Sequence, residues 1–292
     1  MNISKNFILI FFLIIHVIGY SCINEYRTKL NGSKHYVNVT FDYHSSNFEL
    51  DTLKLRRESE NLLKKYQETD SIEFYSDYGA KLIYLKEYSK ALTIYKQIEQ
   101  IQPNLYTTAS NVGTLYELLG QPEKALKWIK KSIELNPDSH HGSEWIHIKI
   151  LEHKLNTNKH TSVLGLDFGR DSKPININNY DLNELLRHLN YQISERLNFI
   201  QPKNEIIGEL YYDLGNVQAL TDYLENAINC YKNAEKFGFT SHLMTQRKLE
   251  FEQIIGFEDR RNNFAIVFII TLFTIMAIVF YIRKRKKRSK VY

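Results

Sequence analysis

The 292-residue sequence contains very few cysteines. Only two occur, Cys22 and Cys230, which excludes the disulfide framework that stabilises many small secreted domains. The fold must therefore be stabilised by packing. Cys230 falls inside a helical segment, where a free cysteine behaves as a small buried apolar residue.

A basic surface is also missing, although the formal net charge is +5. Seven basic residues stand in the tail 283–292 with no acidic residue among them, which leaves a net charge of −2 for the other residues. Nucleic-acid binding needs a basic face that neutralises phosphates. We therefore expect no nucleic-acid partner.

Catalytic motifs are the third absence. The sequence has no glycine-rich phosphate loop, no GxSxG elbow and no Walker loop. The tripeptide Asp167-Phe168-Gly169 also occurs in kinases, but without the other kinase motifs it is read as a loop turn. The sequence thus predicts a protein that is not an enzyme and that needs no cofactor.

Residues 1–21 have the parts of a secretory signal peptide. Lys5 precedes the apolar run Phe7–Ile18, which is too short to span a bilayer comfortably, and small residues follow it. Export is therefore expected. The end of this segment, Gly19-Tyr20-Ser21-Cys22, resembles a loose bacterial lipobox without its usual leucine, so Cys22 is a candidate for lipidation. Cleavage and lipidation both stay open.

Phe264–Ile282 is a run of 19 residues without a charge. As a helix it would span about 28 Å, close to the hydrocarbon thickness of a bilayer. Basic residues follow this run, so the positive-inside rule places the tail 283–292 in the cytoplasm. The sequence predicts a single-pass membrane protein that contacts the bilayer through 264–282 and holds its other residues in the periplasm or outside the cell.

The middle of the sequence repeats with a period of 34 residues. Three residues recur at this interval, namely Gly79 as Gly113, Ala91 as Ala125 and Pro103 as Pro137. A further copy carries Gly215, Ala227 and Ala234 at the small-residue sites. A glycine and an alanine allow two helices to approach closely, and the proline closes the second helix.

This pattern resembles the tetratricopeptide repeat, with clear units at 72–105, 106–139 and 208–241. The resemblance implies an all-α, right-handed helical solenoid, here assigned to 51–255 and followed by the transmembrane helix. The segments CINEYRTKLNG, SHHGSEWIHIKILE and LGNVQAL also resemble a family of exported bacterial repeat proteins, for which no activity is implied.

Residues 22–50 are predicted to be an extended N-terminal segment. Val37, Val39, Phe41 and Tyr43 alternate as in a strand. A single strand cannot make a sheet, so it is expected to lie against the helices or in their groove. Further helices are predicted near Leu53–Tyr66, Ser143–Leu155, Asp181–Phe199 and Ser241–Ile255, with Asp181 as an N-cap.

The first helices of the repeats are expected to line a concave groove. Its predicted partner-binding residues are polar, largely uncharged and aromatic: Ser76, Tyr84, Ser110, Asn111, Thr114, Glu117, Tyr212, Asp213 and Asn216. They favour a non-enzymatic scaffold that binds an internal peptide segment or a folded protein. The alternative is that the N-terminal segment fills the groove permanently. Partner identity, pathway and oligomeric state stay open.

A competing hypothesis is a metal or small-ligand site. His140, Glu144 and His147 are spaced to share one helical face. However, the HExxH spacing of metalloproteases is missing and no second carboxylate is fixed nearby. A packed polar network of Glu144, Trp145 and His147 is the preferred interpretation.

Overall fold

The computed structural model describes residues 20–28, 34–40, 51–156, 162–199, 203–221, 224–255 and 271. Helices dominate this part of the chain. In order they are α1 Thr52–Thr69, α2 Ile72–Tyr84, α3 Tyr88–Ile101, α4 Tyr106–Leu118, α5 Pro122–Leu135, α6 Glu144–Leu155, α7 Leu182–Leu197, α8 Glu205–Thr221, α9 Leu224–Phe237 and α10 at 242–255. A short 3₁₀ helix, Ser139–Gly142, precedes α6.

Local sequence signals set several helix ends. The side chain of Asp51 accepts a hydrogen bond from the Lys54 amide at the start of α1. Asp181 caps α7 by accepting from the amides of Asn183 and Glu184, which confirms its predicted role. Pro103 and Pro137 lie in the turns that follow α3 and α5. A proline cannot continue a helix, so the chain turns there.

Glycines allow the two helices of each repeat to touch. A methyl group added at Gly113 of α4 would lie 2.5 Å from Cδ1 of Ile129 in α5, and one at Gly79 would lie 2.8 Å from the ring of Tyr95. Gly215 makes the same close approach to Tyr231. Ala91, Ala125, Ala227 and Ala234 lie in the second helices of the repeats and are fully buried.

Consecutive helices from α1 to α9 pack in chain order, and α2 also packs against α4. The apolar core is correspondingly extended into three clusters along the stack, centred on the first two repeats, on α6 to α9, and on α9 with α10. This neighbour-to-neighbour packing is the arrangement of a helical solenoid. It agrees with the predicted helical fold, while the right-handed turn of the stack stays a prediction.

The N-terminal segment departs from the all-α prediction. Strand β1, Tyr20–Thr28, pairs antiparallel with β2, Lys34–Thr40, with a register shift between Ser21 and Asn24. The predicted strand is thus present at Val37 and Val39, but the expectation that it would be single is wrong because residues 20–28 supply a partner. Phe41 and Tyr43 lie outside the described residues.

Both predicted terminal segments fall largely outside the described residues. The apolar run Phe7–Ile18 and the tail 283–292 are not described, and only Thr271 of 264–282 is described, as helical. Among the helices that the structure does describe, none is long and apolar enough to cross a membrane.

Candidate functional site

The strand β1 lies against three helices, α2, α4 and α7. We call the face that these helices present to β1 the inner surface. Two of the three helices are the first helices of the 72–105 and 106–139 repeats, which were predicted to line the groove. An extended backbone segment therefore contacts both of the helices that were predicted to line the groove.

Several predicted groove residues are buried in this arrangement. Ser76, Tyr84, Ser110 and Asn111 are nearly inaccessible to solvent, whereas Thr114 is partly exposed. The Tyr95 hydroxyl donates to the Ser76 carbonyl at 2.8 Å, and the Asn111 amide donates to the same hydroxyl at 2.8 Å. Asn111 thus joins two repeats. This corrects the prediction that it faces an open groove.

The third repeat shows a related arrangement. The Tyr231 hydroxyl donates to Oδ1 of Asn216 at 2.7 Å, and Asn216 is fully buried. Asp213 is also buried, and burial followed by the nearby Glu209 charge raises its pKa well above the ordinary value. Asn216 and Asp213, both predicted groove residues, therefore lie on the buried face of α8. Tyr212, on the same helix, is half-buried.

Arg247 of α10 explains why this part of the groove is filled. The side chain is fully buried, and its guanidinium donates to Oδ1 of Asn216 at 2.8 Å and to the Tyr212 hydroxyl at 3.1 Å. It also donates to the carbonyls of Phe168, Gly169 and Asp171 at 2.7 to 3.0 Å. One arginine thus fastens the loop that contains Asp167-Phe168-Gly169 to the last repeat.

Glu117 is the only charged side chain predicted for the first two groove helices, and three cations surround it. Its carboxylate lies 2.7 Å from Nε2 of His147, 2.6 Å from Nζ of Lys154 and 3.0 Å from Nη1 of Arg196. The Glu117 side chain is only 9% exposed, so these contacts are screened little by water. They join α4, α6 and α7.

Glu144 continues this network toward the 3₁₀ helix. It pairs with Nδ1 of His140, and its other oxygen lies 3.3 Å from Nδ1 of His147. Burial raises the pKa of Glu144, but the charges and hydrogen bonds of the two histidines outweigh burial and lower it. The network therefore keeps Glu144 ionised in the interior.

The same balance applies to the other two groups. Burial alone would raise the pKa of Glu117, but Arg196, His147 and Lys154 bring it well below its ordinary value. Burial and the Arg196 charge lower the pKa of His147. Glu117 and Glu144 raise it by more than this, so the net shift is upward. The structure thus favours the ionised form of both carboxylates and, relative to a free histidine, the protonated form of His147.

The proposed metal residues meet, but not as predicted. Helix α6 begins only at Glu144, because His140 and His141 adopt left-handed backbone angles with φ of 52° and 58°. His140 therefore reaches Glu144 from the preceding turn and not from a shared helical face. In the described part of the chain no group of three or more histidine, cysteine, aspartate or glutamate side chains is arranged to hold a metal ion.

Comparison with known protein families identifies one of the repeats. The tetratricopeptide-repeat family model matches residues 108–139, which cover almost all of α4 and the whole of α5. This chain contains a tetratricopeptide repeat. A comparison with curated proteins finds no significant match.

Solved structures of two other proteins are similar to this one at low identity. MamA from Desulfovibrio magneticus RS-1, residues 41 to its end, is 13% identical over 64% of this chain and 95% of that chain, with a TM-score of 0.31. YrrB, described as a TPR protein with an unusual peptide-binding site, is 14% identical over 65% of this chain and 98% of that chain, with a TM-score of 0.35.

Two arginines of the site were not anticipated from sequence. Arg196 and Arg247 reach their partners from 79 residues away, so no local motif links them to Glu117 or to Phe168. A signal nevertheless exists for Arg247. It shares a helical face with the buried residues Met244 and Phe251, at spacings of three and four, where an apolar residue is expected.

Proposed function

We propose that this protein is a non-enzymatic scaffold whose inner surface binds an extended segment of a partner protein. The observation that carries the proposal is the position of β1, which lies against α2, α4 and α7 in an extended conformation. A surface that holds one extended backbone has the shape and length to hold another.

The chemistry of the inner surface indicates which segments it would accept. Of the predicted groove residues on α4, Thr114 is neutral and partly exposed, and the Glu117 charge is balanced by the cations around it. Charge attraction would therefore contribute little to affinity. We infer that the partner segment is held mainly through backbone amides and apolar contacts, as in other peptide-binding grooves, and that its charge matters little.

We further propose that the scaffold works at a membrane surface outside the cytoplasm. The support comes from the sequence alone: the signal-peptide pattern of 1–21, the apolar run 264–282 and the basic tail 283–292. A single span would leave the repeats free to meet an exported partner while restricting them to one membrane.

A pair of arginine substitutions tests the binding surface. Thr114→Arg places a bulky charge on α4 at a partly exposed position, whereas Thr93→Arg places the same side chain on the exposed face of α3. Partners are captured by crosslinking in intact cells and identified by mass spectrometry. We expect capture to fall at least about tenfold for Thr114→Arg, a loss of about 1.4 kcal/mol, and to be unchanged for Thr93→Arg.

Equal capture by both variants would contradict the proposal, provided that both remain folded by circular dichroism. The buried residues Asn111, Tyr212 and Asn216 are unsuitable for this test. Their hydrogen bonds to Tyr95 and Arg247 stabilise the fold, so an alanine there would lower stability as well as any binding.

A further inference from the structure

We propose that the β1–β2 hairpin is a displaceable intramolecular ligand of the inner surface, so that a partner binds fully only after the hairpin leaves. This inference rests on the proposed function, because it assumes that an external segment uses the same surface. Its physical basis is the contact of β1 with α2, α4 and α7, which would overlap any extended ligand there.

The hairpin is too small to be stable alone. It is a two-stranded sheet with seven paired positions, two of which lie beyond the register shift. An isolated two-stranded hairpin is marginal in water, so its order depends on the helices against which it lies. Occupancy of the inner surface and formation of the hairpin are therefore coupled.

The composition of the two strands limits how tightly they can be held. Polar or charged residues make up much of each strand, including Asn24, Glu25 and Arg27 in β1 and Lys34 and His35 in β2. Association gains roughly 25 cal/mol for each Å² of apolar area removed from water. Only seven of the sixteen strand residues are apolar or aromatic, so the hairpin gains less from this effect than an apolar core element of the same size would.

The chain is long enough for the hairpin to leave without unfolding a helix. Eleven residues separate Thr40 from Thr52, the first residue of α1. Fully extended, eleven residues span at most about 40 Å. The hairpin can therefore exchange between bound and released positions while it stays tethered.

The predicted signal-peptide boundary is compatible with this arrangement. Cleavage before Cys22 would remove Tyr20 and Ser21, but it would keep the five continuous pairs that join Asn24–Thr28 to Lys34–Asn38. The hairpin that covers the inner surface thus belongs to the mature chain as well as to the precursor.

Tethering sets the expected size of the effect. Short flexible tethers give effective concentrations on the order of 1 mM. If the hairpin sequence binds the open surface with a dissociation constant of about 10 µM, its tethered copy would therefore weaken the binding of a competing external segment about 100-fold.

A labelled peptide provides the direct test. The probe is fluorescein-labelled peptide 24–40, and its binding is measured by fluorescence anisotropy to the full chain in detergent micelles. The open variant has residues 24–40 replaced by a glycine-serine segment of equal length. We expect the open variant to bind the probe about 100-fold more tightly than the native chain, and a scrambled peptide to bind neither.

Two substitutions keep the test informative if the replacement disturbs folding. Tyr26→Pro removes a backbone donor in the middle of β1 and weakens pairing, whereas Tyr26→Phe leaves the backbone unchanged. Tyr26→Pro should raise probe affinity and Tyr26→Phe should not. In the open variant, Thr114→Arg should reduce probe binding at least tenfold and Thr93→Arg should not.

The outcomes separate this inference from the proposed function. Equal probe affinity for native and open chains, or no binding to the open chain, overturns the inference.

Equal capture of a cellular partner by both chains also overturns the inference, while the proposed function stands. If the open chain binds the probe but neither chain captures a protein, the intramolecular contact stands and the proposed function fails. Concentration-dependent dimers that exchange the hairpin would overturn the intramolecular assignment.

Discussion

Replacing Glu117 by glutamine tests the buried charge network. The change keeps the size of the side chain but removes the negative charge that faces His147, Lys154 and Arg196. Arg196 is itself buried, so it would be left with an uncompensated charge in the interior. The matched control is Glu134→Gln, because Glu134 is exposed on α5.

The expected loss follows from burial. Removing one partner of a buried ion pair costs about 3–5 kcal/mol, because the remaining charge keeps its desolvation cost. For a protein of this size, 1 kcal/mol shifts the melting temperature by roughly 2–4 °C, so Glu117→Gln should lower it by on the order of 10 °C. The exposed control should change stability by less than about 0.5 kcal/mol.

The effect should also depend on pH. The pKa of Glu117 is lowered in the fold, so its contribution is present above the ordinary value of 4.5 and is lost as the pH falls toward the folded value. The pKa of His147 is raised, so its contribution is present below the ordinary value of 6.5 and is lost as the pH rises through the folded value. The two variants should differ most between these limits.

Thermal unfolding of the detergent-solubilised full chain, followed by circular dichroism from pH 3 to pH 9, measures both features. If Glu117→Gln and Glu134→Gln melt within about 2 °C of each other at pH 6, the reasoning is refuted. A difference that does not shrink in acid would show that the carboxylate charge is not the cause.

Three further predictions concern packing. Gly113→Ala should destabilise the fold by about 1–3 kcal/mol, because the added methyl group overlaps Ile129. Adding Ile129→Val should restore part of the lost stability. Urea unfolding measures both, and a Gly113→Ala chain more stable than the native chain would contradict the prediction. Burial raises the pKa of the Cys230 thiol to about 12. Iodoacetamide should therefore label Cys230 slowly at pH 8 until urea unfolds the protein, as measured by mass spectrometry. Fast labelling of Cys230 in the folded chain would contradict this prediction. Arg247→Met should free the loop 162–181, with faster amide hydrogen exchange there than in the native chain, and unchanged exchange would contradict the fastening role.

The repeat was predictable because its geometry admits few residue types. Only glycine fits where α4 meets Ile129 or where α8 meets Tyr231, and such close contacts recur at a fixed interval. The start of α7 was equally predictable, because Asp181 supplies a local cap. These features depend on neighbours in the sequence.

The site was harder to predict because its contacts are not local. Asn111 was assigned to an open groove from its register, but its amide bonds to Tyr95 of the preceding repeat. Glu117 was assigned to ligand binding, but α6 and α7 bring three cations to it. The pairing of β1 was missed because its first two residues lie within the predicted signal peptide.

Site-specific photocrosslinking tests the central claim, that the inner surface is where an extended segment binds. A benzophenone side chain is introduced in place of Thr114 or, as the control, in place of Thr93, and the crosslinked peptides are identified by mass spectrometry after irradiation of intact cells. The account predicts that position 114 captures either residues 20–28 of the same chain or a segment of a partner protein, and that position 93 captures neither. Capture of a partner protein from position 93, with no capture from position 114, would contradict the account.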